Sequence, residues 1–342
     1  MTNTTPNLDK LPEPNIERSG WPWTPPRPET FQFENDDIQW PKISIITPSY
    51  NQAEFIEESI RSVVLQGYPN LEYIVIDGGS TDGSVEIIKK YESYLSYWVS
   101  ESDRGQSDAL NKGFSLATGD LIGWQNSDDS YGPNALVKVA QASAELPEAD
   151  VLYGAINMTD RDGNVFTQLC APEFDLDLMI PYFLIHNECM FFRKHTLQNR
   201  KLVNEDFHHY MDYELFWSLI LQGYNFQYVP GAIAYHRKHE NSKSATQQYI
   251  AAKELWQIYK MPLNDPQIPG TIKNKLEQSC FNLCLDNFYQ LRLDLYQQSF
   301  AELLSLFGTK YLQPKLLLKY LLSYMGKENL SRARALLGKG KV

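Results

Sequence analysis

The fold class is decided by residues 43–84, ISIITPSYNQAEFIEESIRSVVLQGYPNLEYIVIDGGSTDGS. The stretch opens with a β-branched apolar run, ISIIT (43–47), and a second apolar run, LEYIVID, occupies residues 71–77. Between them, four apolar residues share one helical face: Ile56, Ile60, Val63 and Val64. A strand, a helix and a second strand in this order form the right-handed βαβ unit of a parallel sheet. The stretch therefore predicts an α/β protein.

The alternation of strands and helices continues towards residue 130. We predict a third strand at YWVS (97–100), a helix at 106–117 and a fourth strand at DLIGWQN (120–126). Polar clusters follow three of the four strands: TPSYN, DGGSTDGS and NSDDS. Because ligands bind at the carboxyl ends of the strands in such sheets, these clusters predict one shared site.

Composition divides the chain into three regions. Residues 1–40 are rich in Pro and Trp and lack periodicity, so we predict an irregular arm that packs its Trp residues on the body. Residues 41–244 carry the α/β pattern, including a hairpin signal at RDGN (161–164). Residues 245–342 predict a helical C-terminal region.

Charge and hydropathy argue against several classes of protein. The net charge of −11 argues against a nucleic-acid partner. The four cysteines lack the spacing of a zinc site, and the N-terminus lacks the apolar segment of a signal peptide. No run reaches the roughly 18 apolar residues that span a bilayer. We therefore expect a cytoplasmic protein.

The C-terminal tail is basic and rich in leucine. From Lys310 onward it holds eight Lys or Arg residues and a single acid, Glu328. Leu317, Leu321 and Tyr324 share one helical face. Two interpretations are open: this face packs within a helical cap, or it makes a peripheral contact with an anionic membrane.

The residues after the first strand argue against two common nucleotide sites. A dinucleotide site needs G-x-G-x-x-G at this position, and a P-loop needs Gly-Lys followed by Ser or Thr. The chain has TPSYN (47–51) instead. We therefore expect the sheet to bind its ligand through a different arrangement.

Polar side chains near the strand ends have two interpretations each. Asp77 either caps the loop behind the second strand or accepts hydrogen bonds from a nucleotide base or ribose. Asp108 and Lys112 share a helical face with Asn111. They form either a surface salt link or contacts with a nucleotide and its phosphates.

Two adjacent carboxylates, Asp128 and Asp129, follow the fourth strand. Like charges this close repel, and the pKa of one carboxyl rises unless a cation is near. Mg²⁺ binds one or two carboxylates together with substrate phosphates. A polar turn is the alternative, but the neighbouring polar clusters favour a metal–diphosphate site.

Two later motifs carry further candidates. The segment HHYMDYELFWSLILQGYNF (208–226) predicts a buried helix with Asp212 and Glu214 in its first turn, where helix capping is the alternative to a functional role. The loop GAIAYHRKHENSKS (231–244) holds His236 and His239. These histidines are either exposed to solvent or the source of a second metal ligand.

Four ordered segments resemble the family 2 glycosyltransferases: 43–84, RGQSDALNKGFSLATGDLIGWQNSDD (104–129), FFRK (191–194) and MDYELFWSLILQGY (211–224). The resemblance covers roughly residues 41–244. It implies the GT-A fold, a nucleotide-diphospho-sugar transferase sandwich around a mostly parallel sheet. It also implies a UDP-, GDP- or dTDP-sugar donor, a Mn²⁺ or Mg²⁺ cofactor, and inversion of the anomeric centre in one displacement.

The resemblance also implies roles for residues of the donor site. The implied nucleotide contacts are Thr47, Pro48, Tyr50 and Asn51, with Asp77 on the base and Asp128 on the ribose. Asp129 and His239 are the implied metal ligands, with His236 as the alternative histidine.

The implied catalytic base is Asp212. Met211 stands where relatives often have an acid, which leaves Glu214 open as an alternative base. The segment IHNECMFFRK (185–194) lies in a region that lines the acceptor pocket in relatives. Its residues His186 and Glu188 either contact the acceptor or form a structural pair.

We therefore expect an inverting glycosyltransferase of glycan or polysaccharide biosynthesis that acts on a glycan or lipid-linked acceptor. A divalent ion neutralises the leaving diphosphate, and a carboxylate accepts the proton of the attacking hydroxyl. Two alternatives are a sugar nucleotidyltransferase and a catalytically silent protein that binds a sugar nucleotide or a glycan. The nucleotidyltransferase would need a Gly-rich, basic loop after the first strand, which TPSYN lacks.

Overall fold

The computed structural model describes residues 8–14, 18–24, 40–170, 173–180, 184–197 and 203–336. The chain forms two compact units. The first unit contains Met1–Asp175 and Phe183–Ser242, and the second contains Leu176–Tyr182 and Lys243–Val342. Parts of the predicted arm (1–7, 15–17 and 25–39) and the end of the basic tail (337–342) lie outside the described residues.

Nine strands occur within the described residues, all in the first unit. They are β1 Ile43–Ser49, β2 Leu71–Asp77, β3 Tyr97–Ser100, β4 Leu121–Trp124, β5 Ser130–Tyr131, β6 Val151–Thr159, β7 Val165–Leu169, β8 Met190–Arg193 and β9 Phe226–Arg237.

The α-helices of the described residues belong to both units, with α5 and α7 to α12 in the second unit. They are α1 Ile56–Val64, α2 Ser84–Lys90, α3 Gln106–Leu116, α4 Ala135–Glu145, α5 Leu176–Met179, α6 Met211–Leu221, α7 Lys243–Thr246, α8 Gln248–Lys260, α9 Gly270–Tyr289, α10 Leu293–Phe307, α11 Pro314–Ser323 and α12 Lys327–Leu336.

The strands of the described residues form one sheet in the order β3-β2-β1-β4-β8-β6-β9-β5, with β7 paired to β6. β3, β2, β1 and β4 are parallel to one another, and β6 is parallel to β9. β8 is antiparallel to both β4 and β6 and joins the two parallel groups. The predicted α/β class with a mostly parallel central sheet is confirmed. The predicted hairpin is confirmed as the antiparallel pair of β6 and β7.

The parallel register brings the carboxyl ends of several strands to one edge of the sheet. β1 lies at the centre of its group, and all seven of its residues are buried. Ser49 at the end of β1 pairs with Asp77 at the end of β2, and Asp77 pairs with Ser100 at the end of β3. Trp124 at the end of β4 pairs with Ile46 of β1. The polar segments that follow these strands therefore start from the same edge.

The N-terminal arm contributes to the burial of α1, whose nine residues are all buried. Arg61 of α1 donates hydrogen bonds to the carbonyl oxygens of Pro12, Pro22 and Trp23. Trp23 itself is only 7% exposed. The described part of the arm thus packs a Trp residue on the body, as its composition predicts.

The second unit is helical. Its apolar core includes Leu276, Phe288, Tyr296 and Phe300 of α9 and α10, all of them buried. The predicted C-terminal helical segment is therefore confirmed. Among the residues that the structure describes, no helix is both long enough and apolar enough to cross a bilayer.

One buried carboxylate, that of Glu72, links β1, β2 and the turn before β4. Glu72 accepts hydrogen bonds from Ser44 Oγ (2.5 Å), Lys42 Nζ (2.6 Å), and Thr118 N and Oγ1 (both 2.6 Å). Burial would raise the pKa of Glu72, but these hydrogen bonds lower it to about 2. The carboxylate therefore stabilises this part of the sheet only while it is ionised.

Replacing Glu72 by Gln is expected to lower the thermal midpoint at neutral pH. Because the folded pKa lies below the ordinary value of 4.5, the stabilisation is complete above that pH and is lost as the pH falls towards about 2. The difference in thermal midpoint between the wild type and Glu72→Gln should therefore shrink with falling pH. Glu86→Gln, on the exposed side of α2, is the matched control. A difference that stays constant or widens in acid would contradict the prediction.

Candidate functional site

Asn51 joins the end of β1 to the loop that follows β2. Its backbone N donates to Ser80 Oγ (2.7 Å), and its Oδ1 accepts from Thr81 N (3.0 Å). Asn51 has a φ of 51°, a left-handed conformation that Asn adopts more readily than most residues. Its neighbour Tyr50 is 62% exposed. This part of the predicted nucleotide site is therefore ordered by local hydrogen bonds and open to solvent.

Thr47 and Pro48 differ from Tyr50 because they lie inside β1. Both are buried, and Thr47 Oγ1 lies 3.2 Å from Tyr73 Oη. The Thr47 hydroxyl thus faces the interior of the sheet in this structure. Contact of Thr47 and Pro48 with a nucleotide stays a prediction.

Asp77 caps the loop behind β2. Its carboxylate is fully buried and accepts hydrogen bonds from Gly79 N (3.1 Å), from Ser80 N and Oγ (2.9 and 2.5 Å), and from Ser100 Oγ (2.7 Å). The capping interpretation is the arrangement observed. Contact of Asp77 with a nucleotide base stays a prediction.

Asp103 is a site candidate that the sequence analysis missed. It follows β3, and its Oδ1 accepts a hydrogen bond from Gly105 N (2.8 Å). A Cβ atom on Gly78 would lie 2.6 Å from Asp103 Oδ2, so glycine at position 78 allows the carboxylate to approach the loop behind β2. The available signal was the polar run ESDRG (101–105), which follows the third predicted strand.

Asp108 and Lys112 form ion pairs on α3. Asp108 Oδ1 lies 2.8 Å from Arg104 Nη2, and Lys112 Nζ lies 3.0 Å from Glu101 Oε1 and 3.6 Å from Asp108 Oδ2. The hydrogen bond from Arg104 holds the pKa of Asp108 below its usual range. The salt-link interpretation is the arrangement observed, and nucleotide contact by either residue stays a prediction.

Asp128 and Asp129 are adjacent but occupy different environments. The Asp129 side chain is 1% exposed, and it accepts hydrogen bonds from Arg237 N (2.8 Å) and Asn126 Nδ2 (3.1 Å). The Asp128 side chain is 22% exposed, and its Oδ2 lies 3.2 Å from His239 Nε2. The structure differs here from the implied roles, in which Asp129 and His239 bind the metal, because Asp128 is the carboxylate that faces His239.

Asp129 belongs to a cluster that also contains His186, Glu188 and His236; its two carboxyl groups are buried and its two histidines partly buried, and we call it the buried cluster. His236 Nδ1 lies 3.5 Å from both Asp129 Oδ1 and Glu188 Oε1, and the rings of His186 and His236 are 5.2 Å apart. Ligand atoms of His186, Glu188 and His236 all lie within 4.8 Å of one another, so these three residues could also hold a cation.

Glu188 is the more deeply buried of the two residues considered for acceptor contact, and its own acceptor contact stays a prediction. Its side chain is 1% exposed, and its Oε1 accepts a hydrogen bond from Asn126 Nδ2 (2.7 Å). The structural interpretation is therefore the one observed for Glu188. His186 is only partly buried, and its acceptor contact stays a prediction.

The charges of this cluster stabilise one another. Burial would raise the pKa of Asp129, but the positive charge of His236 holds it below its usual range. Burial and the negative charge of Asp129 raise the pKa of Glu188 to about 8. Burial would lower the pKa of His236, but the neighbouring carboxylates raise it well above its ordinary value. At neutral pH we therefore expect an ionised Asp129, a protonated Glu188 and a positively charged His236.

Asn126 and Arg237 connect these parts of the site, and the sequence analysis assigned no role to either. Asn126 Oδ1 accepts hydrogen bonds from Trp124 Nε1 and Gln106 Nε2 (both 2.8 Å), while its Nδ2 contacts the buried cluster. Arg237 is 3% exposed, and its Nε donates to Asp128 O (3.1 Å). Asn126 lies within the quoted NSDDS cluster and Arg237 lies within HRKH, but neither pattern reveals a tertiary contact.

Asp212 lies in the first turn of α6 and is partly exposed, whereas Glu214 is only 7% exposed. Tyr213 N donates to Asp212 Oδ1 (2.8 Å). The segment before α6 is held against α3 by Ser107 Oγ, which donates to Phe207 O (3.1 Å). Of the two acids considered for the base, Asp212 is the more accessible to a substrate.

Curated proteins with similar sequences are named as glycosyltransferases. An uncharacterized glycosyltransferase of Mycobacterium tuberculosis is 36% identical over 116 residues, which are 33% of this chain and 44% of the relative. TuaG of Bacillus subtilis, a putative teichuronic acid biosynthesis glycosyltransferase, is 28% identical over 225 residues. That alignment covers 64% of this chain and 88% of TuaG. The chain thus spans less than half the length of the mycobacterial relative.

Solved structures share the fold of this chain. TarS 1–349 of S. aureus in complex with UDP-GlcNAc aligns with a TM-score of 0.58 and 18% identity, over 83% of this chain and 89% of that chain. The mannosyltransferase PcManGT of Pyrobaculum calidifontis, in complex with GDP-Man and Mn²⁺, aligns with a TM-score of 0.54 and 20% identity. Its alignment covers 88% of this chain and 89% of that chain. These neighbours confirm the predicted GT-A fold.

The family model of glycosyl transferase family 2 matches residues 44–216. The matched range is half of the chain and runs from β1 into α6. It includes Asp77, Asp128, Asp129 and Asp212. The chain therefore belongs to glycosyl transferase family 2.

Proposed function

We propose that this chain transfers a sugar from a nucleoside-diphosphate donor to an acceptor hydroxyl in polysaccharide biosynthesis, with inversion of the anomeric carbon. The observation that carries the proposal is the contact of Asp128 with His239, 3.2 Å apart, where β4 and β9 end. Family membership supports sugar transfer. The donors bound to TarS and PcManGT support a nucleotide-activated sugar, and the name of TuaG supports the polysaccharide setting.

The facing atoms of Asp128 and His239 fit one divalent cation. Two ligands that each lie about 2.1 Å from the same ion are separated by roughly 3 Å, as these atoms are. The His239 ring lies against Phe55, with 4.7 Å between the ring centroids, which limits its rotation. We assign the metal contact to Asp128 rather than Asp129 because Asp129 is buried and already hydrogen-bonded. Mn²⁺ or Mg²⁺ is the proposed cofactor.

A divalent ion at this site would neutralise the leaving diphosphate as a Lewis acid. The chain supplies the base: Asp212 accepts the proton of the acceptor hydroxyl as that hydroxyl attacks the sugar. Tyr50 and Asn51 line the open edge of β1 and contact the nucleotide, and Asp103 adds a carboxylate near the same loop. The acceptor is a glycan or a lipid-linked saccharide.

Thermal-shift measurements with UDP-, GDP- and dTDP-sugars, each with and without Mn²⁺, test the donor and the metal together. One donor class should raise the thermal midpoint of the wild type only when Mn²⁺ is present. Asp128→Asn should weaken Mn²⁺ binding by more than about tenfold, because even an outer partner of a metal ligand contributes that much.

Glu188→Gln is the matched control for Asp128→Asn, since it changes a carboxylate of the neighbouring buried cluster. We expect this variant to bind Mn²⁺ as the wild type does. Loss of Mn²⁺ binding in Glu188→Gln, together with retention in Asp128→Asn, would place the cation among His186, Glu188 and His236 instead.

Replacing Asp212 by Asn is expected to preserve donor binding and to lower turnover by about 10²- to 10⁴-fold, the usual contribution of a general base. Initial rates of sugar transfer, with donor affinity measured separately, check this prediction. Glu214→Gln should retain most of the turnover. The reverse result, with Glu214→Gln inactive and Asp212→Asn active, would assign the proton transfer to Glu214. A protein that only binds sugar nucleotides would show no transfer in any variant.

We also propose that the second unit contacts the cytoplasmic face of a membrane. α11 buries Leu316 and Ser323 but exposes a second, apolar face. The exposed fractions on that face are 38% for Leu317, 54% for Leu318, 67% for Leu321, 62% for Tyr324 and 43% for Met325. Lys315 on the same helix is exposed, whereas Lys319 Nζ lies 5.6 Å from the ring centroids of Phe288 and Tyr289. A basic residue near anionic lipid contributes about 1 kcal/mol. An exposed apolar face of this kind is typical of a helix that lies on a membrane surface.

Co-sedimentation with liposomes tests the membrane contact. The wild type should pellet with vesicles that contain phosphatidylserine and much less with pure phosphatidylcholine. The double variant Leu318→Glu and Leu321→Glu should lose this binding because it places two acids on the apolar face. Val165→Glu, which changes an exposed apolar residue of β7, is the control. Equal pelleting of the double variant and the wild type would contradict the proposal.

A further inference from the structure

A series of contacts through three charged side chains links the N-terminal arm to the turn of Asp128 and Asp129. Arg18 Nη1 donates to Glu58 Oε2 (3.0 Å), and Glu58 Oε1 accepts from Arg237 Nη2. Arg237 Nε then donates to Asp128 O (3.1 Å), and its backbone N donates to Asp129 Oδ1 (2.8 Å). The chain of contacts thus starts at the arm and ends at both carboxylates that follow β4.

Burial restricts how far these three charged side chains can move apart. The exposed fractions of the side chains are 26% for Arg18, 10% for Glu58 and 3% for Arg237. Charged groups at such depth are stable only when they are paired and hydrogen-bonded. Glu58 divides its two oxygens between two guanidinium groups, so a displacement of Arg18 changes the balance of forces on Arg237.

Trp21 and Trp23 anchor the arm next to these contacts. The guanidinium of Arg18 lies 5.3 Å from the ring centroid of Trp23, which is buried against α1. Trp21 Nε1 donates to Tyr131 O (2.7 Å), and Tyr131 follows Asp129 by two positions. The arm is therefore connected to the segment that carries the two carboxylates directly through Trp21 and indirectly through Glu58 and Arg237.

We propose that Arg18 is a positioning residue of the donor site. Through Glu58 and Arg237 it holds the turn of Asp128 and Asp129 in the geometry that a cation between Asp128 and His239 requires. This inference rests on the proposed function, because it concerns the same site. It gives the arm a role in metal affinity in addition to its packing on α1.

The test compares Mn²⁺ affinity in Arg18→Ala, Arg18→Lys and the wild type, measured on the full chain by electron paramagnetic resonance of free Mn²⁺ without nucleotide. Arg18→Ala should bind Mn²⁺ about three- to tenfold more weakly, a smaller effect than that of a residue adjacent to a metal ligand. Arg18→Lys should retain most of the Mn²⁺ affinity of the wild type because lysine keeps the positive charge. Turnover at saturating Mn²⁺ should change by less than about twofold, since the base is untouched.

Lys90→Ala is the matched control. Lys90 Nζ also fastens the arm to α1, through Glu13 O (2.5 Å) and Glu57 Oε1 (2.8 Å), but these contacts do not lead to Arg237. A purely structural role of the arm would lower the thermal midpoint in Lys90→Ala and Arg18→Ala alike and leave Mn²⁺ affinity unchanged in both. The proposal requires the loss of affinity in Arg18→Ala alone.

A second comparison tests the route. In a Glu58→Gln background, adding Arg18→Ala should cause no further loss of Mn²⁺ affinity, because the link is already broken. If Arg18→Ala binds Mn²⁺ as tightly as the wild type, the inference is wrong and the proposed function stands. If the wild type neither binds Mn²⁺ nor transfers sugar, the proposed function fails and this inference fails with it.

Discussion

The hydrogen bond from the backbone N–H of Arg237 to the carboxylate of Asp129 organises the candidate donor site. These residues are 108 positions apart along the chain, and their contact joins the end of β4 to the end of β9. Arg237 strengthens the junction through its Nε, which donates to Asp128 O. Asp128 and His239 each lie within two residues of this junction, so it holds their backbones close together. The geometry on which the proposed metal site depends is therefore set by a buried carboxylate that does not itself face the site.

Paired burial of charge explains why adjacent carboxylates have different roles. His236 and the Arg237 N–H hold the pKa of Asp129 below its usual range, while burial and the negative charge of Asp129 raise the pKa of the neighbouring Glu188. Asp128 lies on the open side, where its Oδ2 is shared only with His239 among the contacts described. A cation between Asp128 and His239 would replace their direct contact by a stronger interaction of each side chain with the ion. The buried carboxylate holds the turn, and the exposed one is available to a ligand.

Several side chains proposed for nucleotide contact also hold the strand ends together. Asp77 caps the loop behind β2 and accepts from Ser100 of β3, while Asn51 ties β1 to the same loop. Such bonds order the backbone groups that a phosphate or a base would meet, which reduces the conformational cost of binding. The N-terminal arm also helps to order the site, because Arg18 is connected to the Asp128–Asp129 turn through Glu58 and Arg237. Structural and functional interpretations of one polar residue are therefore not exclusive in this protein.

The sequence by itself determined the α/β class, the parallel direction of the first strands and the edge at which their polar segments meet. These features follow from the local periodicity of residues 43–126 and from the handedness of βαβ units. Only the tertiary structure decided that Asp128 faces His239, that Asp129 is paired with His236, and that Glu188 is buried. Asp128 and Asp129 are the same residue type and are adjacent, so a sequence pattern cannot tell them apart. Their environments differ only because β9 lies between β5 and β6 in the sheet. Partners more than one hundred positions away along the chain decide which carboxylate is buried, so no local pattern could assign the two roles.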